Sequence, residues 1–313
     1  MKTLKNSELQ MFKHILSLKD SALKHAMFEY LNKRYDKVVN TKEYVYAIGD
    51  IPVALVAHLD TVFVAPPKRI FHDQVENVLW SPDGLGADDR AGVFAITKIL
   101  REGLRPHIIL TTDEEIGAFG AQALAQLSNP FPDLRYVIQL DRRGTNDCVF
   151  YGCNNLEFVN YVESFGFVEA FGSFTDISIL CPTWGIAGVN LSIGYIDEHS
   201  ISETLYISSM IYTIERVINM LKETNIPSFK YIPYNSLSNY TSMTWGCSIC
   251  KQTFMLEELF PVKKPNGGTA FMCPDCLVNN AEWCEECNNP YQIDKKSDKA
   301  HICPDCERKK NGS

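Results

Sequence analysis

A continuous apolar run, Val53-Ala54-Leu55-Val56-Ala57, constrains the fold of this chain more than any other feature. A strand with no polar face must be covered on both sides, and that is the condition of a strand inside a parallel sheet. Arg135–Leu140 reads the same way, and His107–Thr112 and Gly188–Ile193 read as further strands. Glu43–Ile48 forms another strand, joined to Pro52–His58 by the turn Gly49-Asp50. Helical periodicity lies between them, over 90–101, 118–126, 156–165 and 201–222. Residues 7–35 carry one or two more helices, with Ser7 and Gln10 in the form of a capping box. This alternation predicts a three-layer α/β/α domain around a mostly parallel, mixed sheet.

The chemistry-bearing residues stand where those strands end. His58-Leu-Asp60 closes the first run. Gly84-Leu-Gly86-Ala-Asp88-Asp89-Arg-Ala-Gly92 brings two acids to a helix start. Asp113-Glu114-Glu115-Ile-Gly117 follows the third strand, Asp141-Arg-Arg-Gly144 the fourth, and Asp197-Glu198-His199 precedes the last long helix. Ligands of open α/β sheets bind at the carboxyl ends of strands. Two histidines and several carboxylates converging there suit a pair of divalent metals, with zinc favoured. A bridging carboxylate and water would hold such ions roughly 3.5–4 Å apart. A carboxylate beside a histidine fixes its tautomer. Of two adjacent glutamates, one can hold metal while the other takes the proton of the attacking water. Taken singly these motifs are weak: acids at a helix start usually cap it, and paired glutamates are usually solvated.

Together, and in this order, Ala-His58-Leu-Asp60-Thr-Val, Gly-Ala-Asp88-Asp89-Arg-Ala-Gly, Thr-Asp-Glu114-Glu115-Ile-Gly, Leu-Asp141-Arg and the late His199 resemble the co-catalytic di-zinc exopeptidases. That superfamily includes peptidase T, bacterial glutamate carboxypeptidase and the small aminopeptidases. The resemblance spans roughly residues 45–222. It implies that His58 and Asp141 bind one zinc, that Glu115 and His199 bind the other, and that Asp88 bridges them, with Asp89 as the rival bridge. It also implies that Asp60 orients His58 and that Glu114 is the general base. Cobalt or manganese would also suit these ligands. Ser173-Phe-Thr-Asp176 resembles a family segment without an assigned role. Peptidase T places a whole extra domain between the acid equivalent to Asp141 and the late histidine. Only 57 residues separate them here, and 29 separate His58 from Asp88, so the chain reads as a catalytic domain without a lid. The implied activity is aminopeptidase action on short peptides. Carboxypeptidase action or N-acyl amino acid deacylation is the alternative within the superfamily. An adaptor with a non-catalytic α/β scaffold is the alternative of another class.

The sequence changes character after residue 223. Residues 224–244 read as a linker between a catalytic domain (1–223) and a cysteine-rich segment (245–313). Eight of the 11 cysteines form four Cys-x-x-Cys pairs: Cys247/Cys250, Cys273/Cys276, Cys284/Cys287 and Cys303/Cys306. Knuckles at such spacings predict two structural Cys₄ zinc sites of zinc-ribbon type. Both sequential and interleaved pairing satisfy the spacing, and His301 is a candidate substitute ligand. So small a segment depends on its metal for much of its stability. Cys148, Cys153 and Cys181 read as small buried hydrophobes.

A net charge of −8 argues against a nucleic-acid partner and leaves the ribbons as a protein-docking or substrate-presenting module. The N-terminus has no apolar signal segment and no run approaches ~20 apolar residues. The expected setting is the reducing cytoplasm, away from any membrane, where cysteine pairs hold metal rather than disulfides.

Overall fold

The computed structural model describes residues 2–172, 174–234, 244–255, 259–264, 269–287, 290–293, 302, 303 and 306. The chain divides into two units, Met1–Tyr234 and Asn235–Ser313. The elements of the first are α1 (Asn6–Ser17), α2 (Asp20–Asn32), β1 (Val38–Asn40), β2 (Tyr44–Ala47), β3 (Ile51–His58), β4 (Phe71–Asp73), β5 (Val78–Trp80), α3 (Ala87–Arg101), β6 (Pro106–Thr111), α4 (Phe119–Ala125), β7 (Tyr136–Arg142), β8 (Asp147–Val149), α5 (Leu156–Glu163), β9 (Val168–Glu169), α6 (Ile177–Trp184), β10 (Gly188–Ser192), β11 (Tyr195–Ile196), β12 (Thr204–Tyr206) and α7 (Ile207–Leu221).

The main sheet has the order β1-β2-β6-β3-β7-β10-β8-β9. Its centre, β6-β3-β7-β10, is parallel throughout and consists of the four strands expected from the sequence. The β1-β2, β2-β6 and β10-β8 pairs are antiparallel. Side chains alternate across this sheet. Val53, Leu55 and Ala57 pack with α1, α2, α3, α5 and α7 in one core cluster, whereas Ala54 and Val56 pack with α4 and α6 in another. These are the three layers. The chain leaves β3 through α3 to β6 on one side, then crosses by α4 to β7 on the other. The carboxyl end of β3 is therefore the point where the winding reverses, and a crevice opens there.

Four features depart from expectation. The helix read over 201–222 begins at Ile207. Residues 204–206 instead form β12, which joins β11, β5 and β4 in a second, antiparallel sheet. Leu205 is buried there while Ile201 is exposed, so the spacing of these two residues imitated a helical face. The start of α1 is closed by Glu8, whose carboxylate accepts the Lys5 N–H at 2.9 Å, and not by Ser7 and Gln10. Helix α6 escaped notice because Pro182 interrupts its pattern. Finally, residues 224–234 are not linker: Ile226 and Phe229 are buried in the core, and Lys230 and Pro233 form bridges with Ile186 and Cys153. The rest of that segment, 235–243, lies outside the described residues. Cys148, Cys153 and Cys181 are buried and unpaired.

In the second unit, Phe260–Lys263 pairs with Thr269–Met272, and Ala281–Trp283 with Pro290–Gln292, in one four-stranded sheet. No helix among the described residues is long and apolar enough to cross a membrane.

Candidate metal centre

His58 is the last residue of β3 and is 1% exposed. Its Nε2 lies 3.1 Å from Asp88 Oδ1 and 3.5 Å from Asp141 Oδ1. Its Nδ1 faces the Asp60 carbonyl oxygen at 3.1 Å and the Asp60 carboxylate at 3.5 Å. A proton on Nδ1, donated to that carbonyl, leaves Nε2 free to face the acids. Asp60 thus orients His58 more closely by its main chain than by its side chain, and its Oδ2 accepts the Glu115 N–H at 3.1 Å.

The loop before α3 brings in Asp88, whose Oδ2 lies 3.2 Å from His199 Nε2. Asp88 therefore stands between the two histidines, one oxygen toward each. Asp89 turns away: it is fully buried and accepts the His58 N–H at 3.2 Å and the Gly92 N–H at 2.9 Å. The peptide bond between the two aspartates is cis. From the loop after β6, Glu115 reaches to 3.0 Å from His199 Nε2, and Glu114 lies 4.0 Å from His58 Nε2. Asp141, near the end of β7, is fixed by the Tyr195 hydroxyl at 3.0 Å, Thr175 at 2.9 Å and Gln139 at 3.0 Å. His199 lies in the left-handed region at φ 61°, as does Asp197 at 55°. That conformation is costly for residues other than glycine and points the imidazole back toward Asp88 and Glu115.

Two donor sets result, each with its ligand atoms within 4.8 Å of one another: His58, Asp88 and Asp141, and Asp88, Glu115 and His199. They share Asp88. The electrostatics of this cluster are those of crowded acids short of positive charge. Burial, reinforced by neighbouring carboxylates, pushes Glu114 up to about 8, Glu115 to about 7 and Asp141 to about 6. Asp88 goes the other way: its bonds to His199 and His58 overcome the penalty of burial and hold it below the usual range. Its bond to Asp88 raises His199 to about 9. Glu115 Oε1 and Asp60 Oδ1 are buried with no hydrogen-bond partner. Nitrogen and carboxylate donors, orphaned buried oxygens and mutual repulsion together fit a pair of divalent cations such as zinc.

Three contributors were given no role from the sequence. Glu203 is 1% exposed and accepts the Gly86 and Asp88 N–H groups at 2.6 and 2.9 Å, tying the Asp88 loop to the segment after His199. Burial raises its carboxyl to about 7 against the pull of those N–H groups. Asn190 clamps the Asp141 main chain at both N–H and carbonyl. Asp176 is fully buried and accepts the Thr111 hydroxyl. It belongs to the segment 173–176 singled out from the sequence, of which Ser173 lies outside the described residues.

In the second unit the cysteines gather sequentially: Cys247, Cys250, Cys273 and Cys276 in one set, and Cys284, Cys287, Cys303 and Cys306 in the other. Main-chain N–H groups of Cys273, Cys250 and Ile249 outweigh burial and hold the Cys247 thiol down to about 6. The Cys303 N–H does the same for Cys284, also to about 6. His301 lies outside the described residues.

Residues 40–159 match peptidase family M28, a segment that holds His58, Asp60, Asp88, Glu114, Glu115 and Asp141. Among curated proteins, none matches. The structure is similar to that of an aminopeptidase PepT from Bacillus cereus, at 13% identity and a TM-score of 0.54 over 67% of this chain and 96% of that one. It is also similar to a tripeptidase from Staphylococcus aureus (14%, 0.56, 69% and 97%) and to a TET aminopeptidase from a marine-sediment thaumarchaeon (15%, 0.56, 71% and 98%). The likeness to the co-catalytic exopeptidases drawn from five short motifs is thereby borne out. Family match and fold together support a metal-dependent peptidase.

Proposed function

We propose that the first unit is an aminopeptidase for short peptides that works with two zinc ions, and that the two cysteine sets hold structural zinc. The observation that carries this reading is Asp88, shared by two donor sets with one oxygen toward each histidine. His58, Asp88 and Asp141 would hold one ion; Asp88, Glu115 and His199 would hold the other. Such a pair supplies Lewis acidity toward the scissile carbonyl and makes water acidic near neutral pH.

The chain does the rest. Glu114 belongs to neither donor set, yet lines the same cavity. Its carboxylate takes the proton of the attacking water and delivers it to the leaving nitrogen. Burial keeps this group less acidic than an exposed glutamate, which suits a base that must also give the proton back. Tyr195, Thr175 and Gln139 occupy the Asp141 carboxylate, so it cannot swing away from His58. Asp60 plays the same part for the His58 ring through its carbonyl.

The test is a panel of dipeptides, their N-acetyl forms and N-acyl amino acids, given to metal-stripped protein with zinc, cobalt or manganese restored. Release of the N-terminal residue from unblocked peptides is expected. Cleavage of the blocked compounds alone would assign deacylation instead. No hydrolysis with any metal would leave only the scaffold reading.

A further inference from the structure

The cavity over the metal centre measures about 360 Å³, near the small end of ligand pockets. Its lining is acidic at Asp88, Glu114, Asp141 and Glu198. The same lining carries two consecutive arginines, Arg142 and Arg143, which directly follow Asp141 on the chain.

Neither guanidinium is used up. Arg142 is mostly buried, and among the described residues its nearest acidic partner, Asp147, stands 3.8 Å from its Nη2, beyond hydrogen-bond length. Arg143 donates once, to Glu198 Oε1 at 3.0 Å, and is otherwise 61% exposed. An arginine has five N–H donors in a planar fork that matches a carboxylate. Glu198 immediately precedes His199, so its bond holds the Arg143 fork beside the centre. Two cations in the lining repel an ammonium group and attract an anion.

We infer that Arg142 and Arg143 bind the free terminal carboxylate of the substrate, which makes this a site for di- and tripeptides rather than for the ends of long chains. This inference rests on the peptidase reading above. A cavity of about 360 Å³ is on the scale of a short peptide, so a terminal carboxylate held by arginines of its lining favours peptides with few residues beyond the scissile bond. The unblocked amino end is drawn instead to the carboxylates of the lining. Tyr151, Phe171 and Phe174 supply an apolar wall for the side chains between.

The experiment compares Ala-Leu with Ala-Leu-amide on the full chain loaded with metal. The parent is expected to cleave the free acid at least about tenfold more efficiently than the amide, because a hydrogen-bonded charge pair contributes ~1.5–3 kcal/mol, or roughly 10–100-fold. Arg143→Gln and Arg142→Gln should each lower kcat/KM for the acid by about tenfold more than for the amide, so that the preference for the acid disappears, while Arg143→Lys restores part of the preference. Binding of the same two compounds to the Glu114→Gln chain, read by calorimetry, tests the contact without turnover. Turnover with equal efficiency on acid and amide overturns this inference and leaves the peptidase reading intact. An arginine-dependent preference for the acid in binding, with no turnover in the parent, supports the carboxylate contact and sinks the peptidase reading. Equal binding of acid and amide overturns the contact whatever the turnover.

Discussion

Replacing Glu203 by glutamine tests whether the centre depends on a residue that touches no substrate and donates to no metal. The carboxylate accepts two buried main-chain N–H groups, from Gly86 and Asp88, one on each oxygen. Glutamine keeps one acceptor and turns an amide NH₂ against the other donor. One charge-assisted bond is lost and one buried N–H is left without a partner. Hydrogen bonds to charged groups contribute ~1.5–3 kcal/mol, so the metal-free chain should lose about 2 kcal/mol in urea unfolding. Asp88 belongs to both donor sets, so loosening its loop should weaken both ions. Losing an outer-shell partner typically costs 10–100-fold in metal affinity. Competition for zinc against a chromogenic chelator should show that drop in the two sites of the first unit, while the cysteine-bound zinc is unchanged. Ser202→Ala, at an exposed neighbouring position, should behave like the parent. Zinc affinity within twofold of the parent in Glu203→Gln would refute the reasoning, whatever the loss of stability.

Three further predictions follow from the same geometry. Glu114→Gln should lower kcat by at least about two orders of magnitude with KM within several-fold and metal content intact, whereas Glu115→Gln should lose metal and regain activity as zinc is raised; the opposite pattern in steady-state kinetics and elemental analysis would reverse the two roles. In the metal-free chain, Glu114 and Glu115 shift from an ordinary 4.5 to about 8 and 7, Asp141 from 3.8 to about 6, and His199 from 6.5 to about 9. The folded state therefore holds protons that the unfolded chain has released. The stability these groups contribute is complete below about 4 and is lost progressively as pH rises from there through about 9, with Asp88 acting oppositely only below its ordinary 3.8. Thermal unfolding midpoints should fall across that range, and saturating zinc should flatten the fall; midpoints that rise with pH would contradict it. A chain ending at Tyr234 should lose two zinc ions and still hydrolyse dipeptides; loss of turnover in a folded truncated protein would show that the ribbons take part.

What the sequence made legible was what a single physical cause dictates. Val53–Ala57 had to be a doubly covered strand, and the other central strands follow from similar runs. Strand ends then placed His58, Glu115 and Asp141 in one crevice. The second sheet was invisible because its strands are two or three residues long, too short to show a period. Glu203 was hidden by its own neighbourhood: in Ser200-Ile-Ser-Glu203 it reads as an acid near a helix start, and only the fold turns it inward onto the Asp88 loop. Asn190 sat between Val189 and Leu191 in a fully buried strand, which could have marked it, since a polar group in a buried strand must find a partner. The supposed linker misled because its first residues lack a period and still carry Ile226 and Phe229 into the core.

The two kinds of donor set in this chain differ in how far they reach along it. The cysteine sets draw on 30 residues and 23, from Cys247 to Cys276 and from Cys284 to Cys306. The other centre draws on residues from 58 to 199. Its ligands meet only after β3, β6 and β7 have paired in parallel, and such distant pairings form late and slowly. During synthesis the first unit must emerge as far as His199 before its second donor set exists at all. Each cysteine set can close on an ion as soon as its own short segment is free. Metal capture would thus mark two different moments: in the ribbons the start of folding, and at Asp88 its completion.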